Sequence, residues 1–363
     1  MKILLIGPLV PPLHGQSLAF TRFVESIDKD KKIVVNSNLE GESKVYKVFG
    51  TFKIFFMITA KIIFYKNEVI YFTCSRSFFG SINDLVLINF ARLKKVKIIN
   101  HLHGSDFDEF IHSSPDWFKK ILLYSYNEVD TSIVLLDKMK DQFKKFPNMK
   151  VEVVPNFYDK EFDEKLIEKD QDSIHLVYFS NIMSSKGIFE LLEAFEKLSR
   201  QYKNIYLNIA GGYLADEFMS KNEVKEKFES KISRNNRIKF IGKTFGEEKV
   251  KLLQSSDIFV LPSYFKSEAS PISIIEAMVS GNAIVTTNYK YLPDIVNNQN
   301  GILVEPRCID SLVEGIRCLI INKDRLKKAQ EHNKKEAKEK YSLDNYIDTL
   351  KQIVSKKSIN LRK

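Results

Sequence analysis

The sequence predicts an α/β protein of two domains, each built on a parallel sheet. Three observations carry that reading. Short apolar runs alternate with longer stretches of helical periodicity along the chain, which is the pattern of successive βαβ units. The alternation completes one series and then restarts at Ile174–Ser180. At 363 residues the chain is long for one domain and comfortable for two.

The first series places strands at Lys2–Gly7, Ile33–Asn36, Val69–Thr73, Lys97–His101, Ser132–Leu136 and Val151–Val154. Helical stretches such as Gln16–Ile27 and Ile82–Leu93 fall between most of them. The second series places strands at Ile174–Ser180, Ile205–Ala210, Arg237–Ile241, Ile258–Leu261, Ala283–Thr287 and Gly301–Val304. The expected domains are therefore 1–160 and 170–340, with a last segment 341–363 that carries a helix from about Ser342 to Ser355. The charged, weakly apolar stretch Tyr158–Ser173 is the expected link. The apolar run at the N-terminus is short and lacks a small-residue cleavage site, so it reads as a first strand rather than a leader. No run of about 18 uncharged apolar residues occurs, so no transmembrane helix is expected.

Apolar residues make up 44% and charged residues 28% of the chain, the balance of a soluble globular protein. The net charge of +10 favours anionic partners: nucleotide phosphates, nucleic acid or an anionic membrane. Most of it lies in Lys44–Lys97, where ten cations meet two carboxylates, a balance of +8. Inside that region Val48–Tyr65 is very apolar yet holds Lys53 and Lys61. Two readings stand side by side: a helix lying on an anionic membrane surface, or a core helix with snorkelling lysines. No nucleic-acid motif accompanies the charge, so no nucleic-acid partner is expected. Cys74, Cys308 and Cys318 form no close-spaced pair, which points to a reducing compartment and no metal site.

The densest chemistry lies at Glu268-Ala-Ser-Pro-Ile-Ser-Ile-Ile-Glu276, between two apolar strands. Ser270 suits an N-cap, Pro271 the first helical position and Gly281 the C′ stop. The N–H groups of a helix that starts at Ser270-Pro271-Ile272 make an anion site. Glu276 falls in the second turn. Glu268 lies at the carboxyl end of a strand, where open α/β sheets bind ligands. An anion cradle between two carboxylates suits a ligand with both phosphates and hydroxyls, such as a nucleotide sugar.

This segment, with Asp257–Ser263 before it and Glu276–Val285 through it, resembles the E-x7-E motif of the retaining glycosyltransferases of family 4, the glycosyl transferase group 1 enzymes of GT-B fold. The resemblance is strongest from Val177 to Val304. It implies two Rossmann-like domains facing a central cleft, the first for the acceptor and the second for the donor, with a C-terminal helix crossing back to the first. It implies sugar transfer from a nucleotide donor, UDP-linked by expectation, to a lipid-linked or cell-surface glycan. Retention of anomeric configuration, no metal ion, no cofactor and no protein nucleophile are further implications. The expected location is cytoplasmic, peripheral on the inner face of the membrane.

The same resemblance assigns residues. Glu276 would hold the ribose and Glu268 the donor sugar. Tyr178–Gly187 matches the family's Gly-Arg-Leu followed by Lys-Gly, so Lys186 would bind the pyrophosphate; Asn181 stands where arginine is usual and can still donate a hydrogen bond. Gly7–Gln16 resembles the family's Pro-Pro…Gly-Gly loop, in which Gly15 would let backbone approach the distal phosphate. His14 beside it is either a substrate contact or a plain loop histidine. His103, followed by Gly104, matches the family's donor-sugar histidine, whereas His101 alternates with it and points into the sheet. Gly242 and Lys243 match the nucleobase loop. Asp106-Phe-Asp108 has the form of a DxD metal motif but reads as a helix cap or surface feature. The catalytic set is thus His103, Lys186 and Glu268. Alternatives are a GT-B nucleotide-sugar epimerase or hydrolase, or a non-catalytic nucleotide-sugar-binding protein.

Overall fold

The computed structural model describes residues 1–38, 44–163, 169–170 and 172–356, and the side chains of residues 44–48 fall outside that description. Residues 164–168 and 171 of the expected link, and the side chains of Lys44 and Lys47, therefore lie outside the described residues. The chain divides into two compact units. One is Met1–Pro155 with the described residues from Asp344 on; the other is Asn156–Leu343.

The first unit runs β1 (Ile3–Gly7), α1 (Gly15–Glu25), β2 (Lys32–Asn36), α2 (Lys44–Phe64), β3 (Val69–Thr73), α3 (Phe78–Leu93), β4 (Lys97–His101), α4 (Phe107–Ser113), α5 (Asp116–Tyr126), β5 (Thr131–Val134) and β6 (Lys150–Val153). The second runs β7 (Ile174–Phe179), α6 (Ile188–Gln201), β8 (Ile205–Ala210), α7 (Lys221–Ile232), β9 (Ile238–Gly242), α8 (Gly246–Gln254), β10 (Ile258–Leu261), α9 (Ile272–Val279), β11 (Ala283–Thr287), β12 (Gly301–Val304), α10 (Ile309–Ile321) and α11 (Lys323–Lys340). The last helix, α12 (Leu343–Ser355), belongs almost wholly to the first unit.

Each unit holds one six-stranded sheet, and all pairings are parallel. The first has the order β2-β1-β3-β4-β5-β6, the second β12-β11-β10-β7-β8-β9. Strands such as β3, β4 and β11 are buried along their whole length, as strands covered by helices on both faces must be. Winding reverses beside β1 in the first sheet and beside β7 in the second. Right-handed crossovers then put α1 on one face of the first sheet and α2, α3 and α5 on the other. α2 packs on α3, and α3 on α5.

Every expected strand is present: six have the expected ends, and the ends of the other six are displaced by no more than two residues. α3 begins at Phe78 rather than Ile82, because Ser77 Oγ accepts from Gly80 N at 3.3 Å and caps the earlier turn. Lys97 departs from the surface role given to it within the basic region. It is buried in β4, and its ammonium donates to the carbonyls of Ile353 at 2.8 Å and Lys356 at 2.6 Å. It therefore satisfies the orphan carbonyls at the end of α12. Burial also holds its pKa below the usual lysine value. Arg76 is engaged as well, 2.5 Å from Asp106.

Val48–Tyr65 is neither wholly core nor wholly surface. Ile54, Ile58 and Ile62 form a buried stripe of α2, while Phe52, Phe56 and Ile63 on the opposite side are exposed. Among the described residues, no helix is long and apolar enough to cross a membrane.

Candidate functional site

The reversal of winding in the second sheet opens the loops that follow β7 and β10, which are neighbours in the sheet. Such a reversal is where open α/β sheets bind ligands. The β7 loop closes with a turn at Ser184–Lys186 and then Gly187. Gly187 has φ +74°, and a Cβ there would lie 2.1 Å from the Pro262 carbonyl oxygen. The two loops thus touch backbone to backbone, and only glycine fits. Asp216 accepts from Ser185 N at 2.6 Å, and Ser185 O accepts from Tyr264 N at 2.8 Å.

This framework brings two of the expected residues together. Lys186 Nζ lies 2.6 Å from Glu268 Oε2, and Ser263 Oγ donates to the same oxygen at 2.5 Å. The side chains are only 13% and 7% exposed, so the pair sits in a low-dielectric pocket. The ammonium also lies 4.8 Å from the Phe265 ring centroid. Asn181 is exposed, with its carbonyl held by Tyr178 OH at 2.7 Å.

The β10 loop ends where α9 begins, and here one expectation is corrected. The N-cap is Pro271, not Ser270, and Ile272 is the first helical residue. Pro271 keeps an extended ψ of 121°, and the carbonyl of buried Ser270 is taken by Asn156 Nδ2 at 2.6 Å. The first turn has no side-chain cap and no acidic residue, so α9 itself supplies no anionic partner for the N–H groups of Ile272 and Ser273. Gly281 does end the helix, at φ +73°.

Glu276 is buried in the middle of α9. Lys249 Nζ lies 2.8 Å from its carboxylate and 3.1 Å from Glu161. Burial pushes the Glu276 carboxyl up, against the pull of Lys249. Burial alone would lower Lys249, but its two carboxylate partners prevail and raise it. Neither Lys249 nor Glu161 stood out in the sequence. The available signal was a lysine among the buried residues of α8, beside Val250, Leu252 and Leu253. Arg307 was also missed. It adopts φ +59° after β12 and stacks 4.4 Å from the Tyr264 ring and 4.7 Å from Phe218. At the ends of β8 and β9, Gly211 N donates to Gly242 O at 2.9 Å. Gly242 has φ +81°, and Lys243 lies over Gly212, where a Cβ would be 2.2 Å from its Cε.

The first unit holds the remaining expected residues. Gly15 opens α1 and is exposed. His14 is the N-cap of that helix, a role neither reading gave it. Its Nδ1 accepts from Ser17 N at 3.2 Å, and Ser17 Oγ accepts from His14 N at 3.0 Å. His101 is buried in the sheet as expected, with Nδ1 2.6 Å from Tyr71 OH. His103 stacks on it with ring centroids 4.0 Å apart. Burial, with Arg76 and His14 nearby, takes the His103 pKa down to about 3, so its ring is neutral. Both of its ring nitrogens are buried without a hydrogen-bond partner among the described residues. The residue as a whole is half-buried, and two buried, unmatched ring nitrogens suit a ligand or water. Gly104 follows because Arg76 passes over it: a Cβ would lie 1.4 Å from the guanidinium. The Asp106/Asp108 pair is tied up in ion pairs to Arg76 and Lys145.

Comparison with known proteins supplies the context. The family described as glycosyl transferases group 1 matches residues 159–340, half of the chain. A glycosyltransferase of Methanocaldococcus jannaschii, itself uncharacterized, is 26% identical over 75% of this chain and 71% of its own length. A putative teichuronic acid biosynthesis glycosyltransferase of Bacillus subtilis is 24% identical over 59% of this chain, which spans only 53% of that relative. Among solved structures, Anabaena HepE in complex with UDP has a TM-score of 0.75 at 16% identity, covering 98% of this chain and all of its own. Sucrose-phosphate synthase of Thermosynechococcus elongatus has a TM-score of 0.74 at 12% identity, covering 97% and 98%. These likenesses establish the two-domain GT-B α/β fold. With that fold, and with the family pattern running from Asp159 through Lys340, the chain belongs to the glycosyl transferases group 1 family.

Proposed function

We propose that this protein is a retaining, metal-independent glycosyltransferase of family 4. It moves a sugar from a nucleotide donor, UDP-linked by expectation, to a lipid-linked or cell-surface glycan. It acts in the cytoplasm, peripherally on the inner face of the membrane. The observation that carries the reading is the buried Lys186–Glu268 pair at the reversal of the second sheet, with the uncapped start of α9 at the end of the same loop.

In this reading the donor diphosphate lies on the N–H groups of Ile272 and Ser273, at the start of α9. Lys186 turns from Glu268 to the phosphate and offsets the charge that grows as the nucleotide departs. Glu268 is thereby freed to accept from a donor-sugar hydroxyl. Glu276 takes the ribose hydroxyls, with Lys249 holding the carboxylate in place. Gly242 and Lys243 border the base, and Asn181 donates one hydrogen bond where an arginine is usual. Within the first unit, the resemblance assigns a phosphate contact to Gly15 N–H and a sugar-hydroxyl contact to neutral His103, whose two nitrogens are unmatched among the described residues. The departing nucleotide leaves an oxocarbenium-like centre that the acceptor attacks from the same face.

The names of relatives support the acceptor class. They include the teichuronic acid enzyme, an O-antigen chain mannosyltransferase of Escherichia coli and a poly(ribitol-phosphate) N-acetylglucosaminyltransferase of Staphylococcus aureus. A solved neighbour in complex with UDP-glucose supports the donor class. Calorimetry with UDP-, GDP- and ADP-sugars, followed by NMR of the product's anomeric configuration with and without EDTA, tests the proposal. One nucleotide sugar is expected to bind and to be turned over with retention. Absence of binding across the panel, inversion, or strict dependence on added Mn²⁺ would overturn it.

A further inference from the structure

We propose that α2, α3 and α5 together form a docking face that seats in the headgroup layer of an anionic bilayer. The inference gives a surface to the peripheral location proposed above, but its evidence lies wholly in the first unit. Exposed large apolar side chains concentrate there. Of the 21 among the described residues, eleven fall on these three helices. The helices form one layer on one side of the sheet, so their outward sides share a surface.

α2 defines the character of that surface. Its buried stripe, Ile54–Ile58–Ile62, is already satisfied against the core. The opposite side presents Phe49 at 71%, Phe52 at 59% and Phe56 at 67% exposure. A helix apolar on both sides needs a second apolar partner. α3 adds Phe79 at its start and Leu93 at its end, both exposed. α5 adds Trp117, Ile121 and Tyr124. The layer is continuous at one end, where the Phe78 ring lies 6.2 Å from Trp117.

Charge selects the occupant. Residues 44–66 contain five lysines and no carboxylate. Lys94 and Lys95 follow α3, and Lys119 and Lys120 lie on α5. The carboxylates nearby are few: Asp84 is buried, Glu128 pairs with Arg92, and Asp116 and Glu68 are exposed. A second copy of the same face would set lysines against lysines. Aromatic and aliphatic side chains interleaved with lysines instead match a surface that is anionic outside and apolar beneath. Lys97 and Arg76, both engaged inside the unit, contribute nothing to it.

The test uses the full chain and vesicles of phosphatidylcholine alone or with 30 mol% phosphatidylglycerol, a probe composition of about one anionic lipid in three. Co-sedimentation is expected with the anionic vesicles and to weaken strongly between low and high salt. Lys53→Glu should lower partitioning at least roughly fivefold, the value of one basic contact. Phe52→Gln/Phe56→Gln should lower it by roughly tenfold or more. Ile321→Gln, an equally exposed apolar site in the second unit, should leave it unchanged. All four positions are surface sites, and UDP calorimetry of each variant reports an intact second unit. Wild-type protein that ignores anionic vesicles overturns the proposal. So does a Phe52/Phe56 variant that binds like wild type, or light scattering that shows those residues closing a dimer instead. Loss of UDP binding in the wild type would overturn the catalytic reading and leave the docking face standing.

Discussion

The Lys186–Glu268 pair allows a test that separates architecture from ligand binding. Replacing Lys186 with Met keeps most of the side-chain volume and removes the ammonium. Among the described residues, Glu268, 7% exposed, then keeps only the Ser263 hydroxyl as a side-chain partner. Breaking a buried pair by removing one member costs about 3–5 kcal/mol. Because Lys186 retains some contact with water, 13% of its side chain, the lower figure of about 3 kcal/mol applies. In a unit of this size that is a fall of roughly 6–12 °C in Tm. Affinity for UDP should fall at least about tenfold, from one lost charge-assisted contact of roughly 1.5–3 kcal/mol. Lys186→Met/Glu268→Gln removes the stranded charge, so it should recover most of the Tm but none of the affinity. Differential scanning calorimetry and titration of UDP on the wild type, both single variants and the double variant complete the cycle. Unchanged UDP affinity in Lys186→Met would remove that lysine from the site. Strictly additive Tm losses would mean that the pair is not coupled.

Three further outcomes are expected. Glu276→Gln should weaken free UDP binding roughly tenfold, whereas Glu268→Gln should leave it intact and lower turnover of the whole donor; equal effects on UDP binding would contradict that division. Gly187→Ala should destabilise by at least about 3 kcal/mol, since φ +74° and a Cβ 2.1 Å from Pro262 O leave no room; a Tm within a degree or two of wild type would refute the close loop contact. Asp84 is buried, which raises its carboxyl to about 7 despite hydrogen bonds from Ser75 and Tyr126. Its contribution to stability is therefore full below the unfolded value of about 4 and is lost as pH rises towards 7, at up to about 1.4 kcal/mol per unit. The difference in unfolding free energy between Asp84→Asn and wild type, measured from pH 4 to 8, should show that slope and then level off; a flat difference would place the proton elsewhere.

The strands were legible because a parallel strand covered on both faces is buried along its length and so largely apolar, as β3, β10 and most of β11 are. Lys186 and Glu268 were legible for a related reason: each follows such a strand and precedes a helix, so topology alone sends both to the carboxyl edge. Lys249 was not. Nothing in α8 by itself says that its lysine reaches a glutamate 27 positions later, a contact made only when α8 packs on α9. The N-cap at α9 was misplaced because Ser270 has the right chemistry, but Asn156 claims its carbonyl from far along the chain. His14 was read for its ring chemistry, while its geometry made it a cap. Lys97 looked like one more surface cation until α12 arrived to cover it.

That last contact bears on how the chain is made. The first unit draws its β-strands from residues before Asn156 and its α12 from residues after Leu343. A ribosome that has finished β6 must still translate the whole of Asn156–Leu343 before α12 emerges. At about 5–20 residues per second that interval is roughly 10–40 seconds. Throughout it the nascent first unit holds a lysine in β4 with no carbonyls to receive it, and an apolar surface awaiting Tyr346, Leu350 and Val354. The second unit, contiguous in sequence, is under no such delay. The protein synthesized first is therefore the part completed last, and the exposed phenylalanines of α2 are on display for the entire wait.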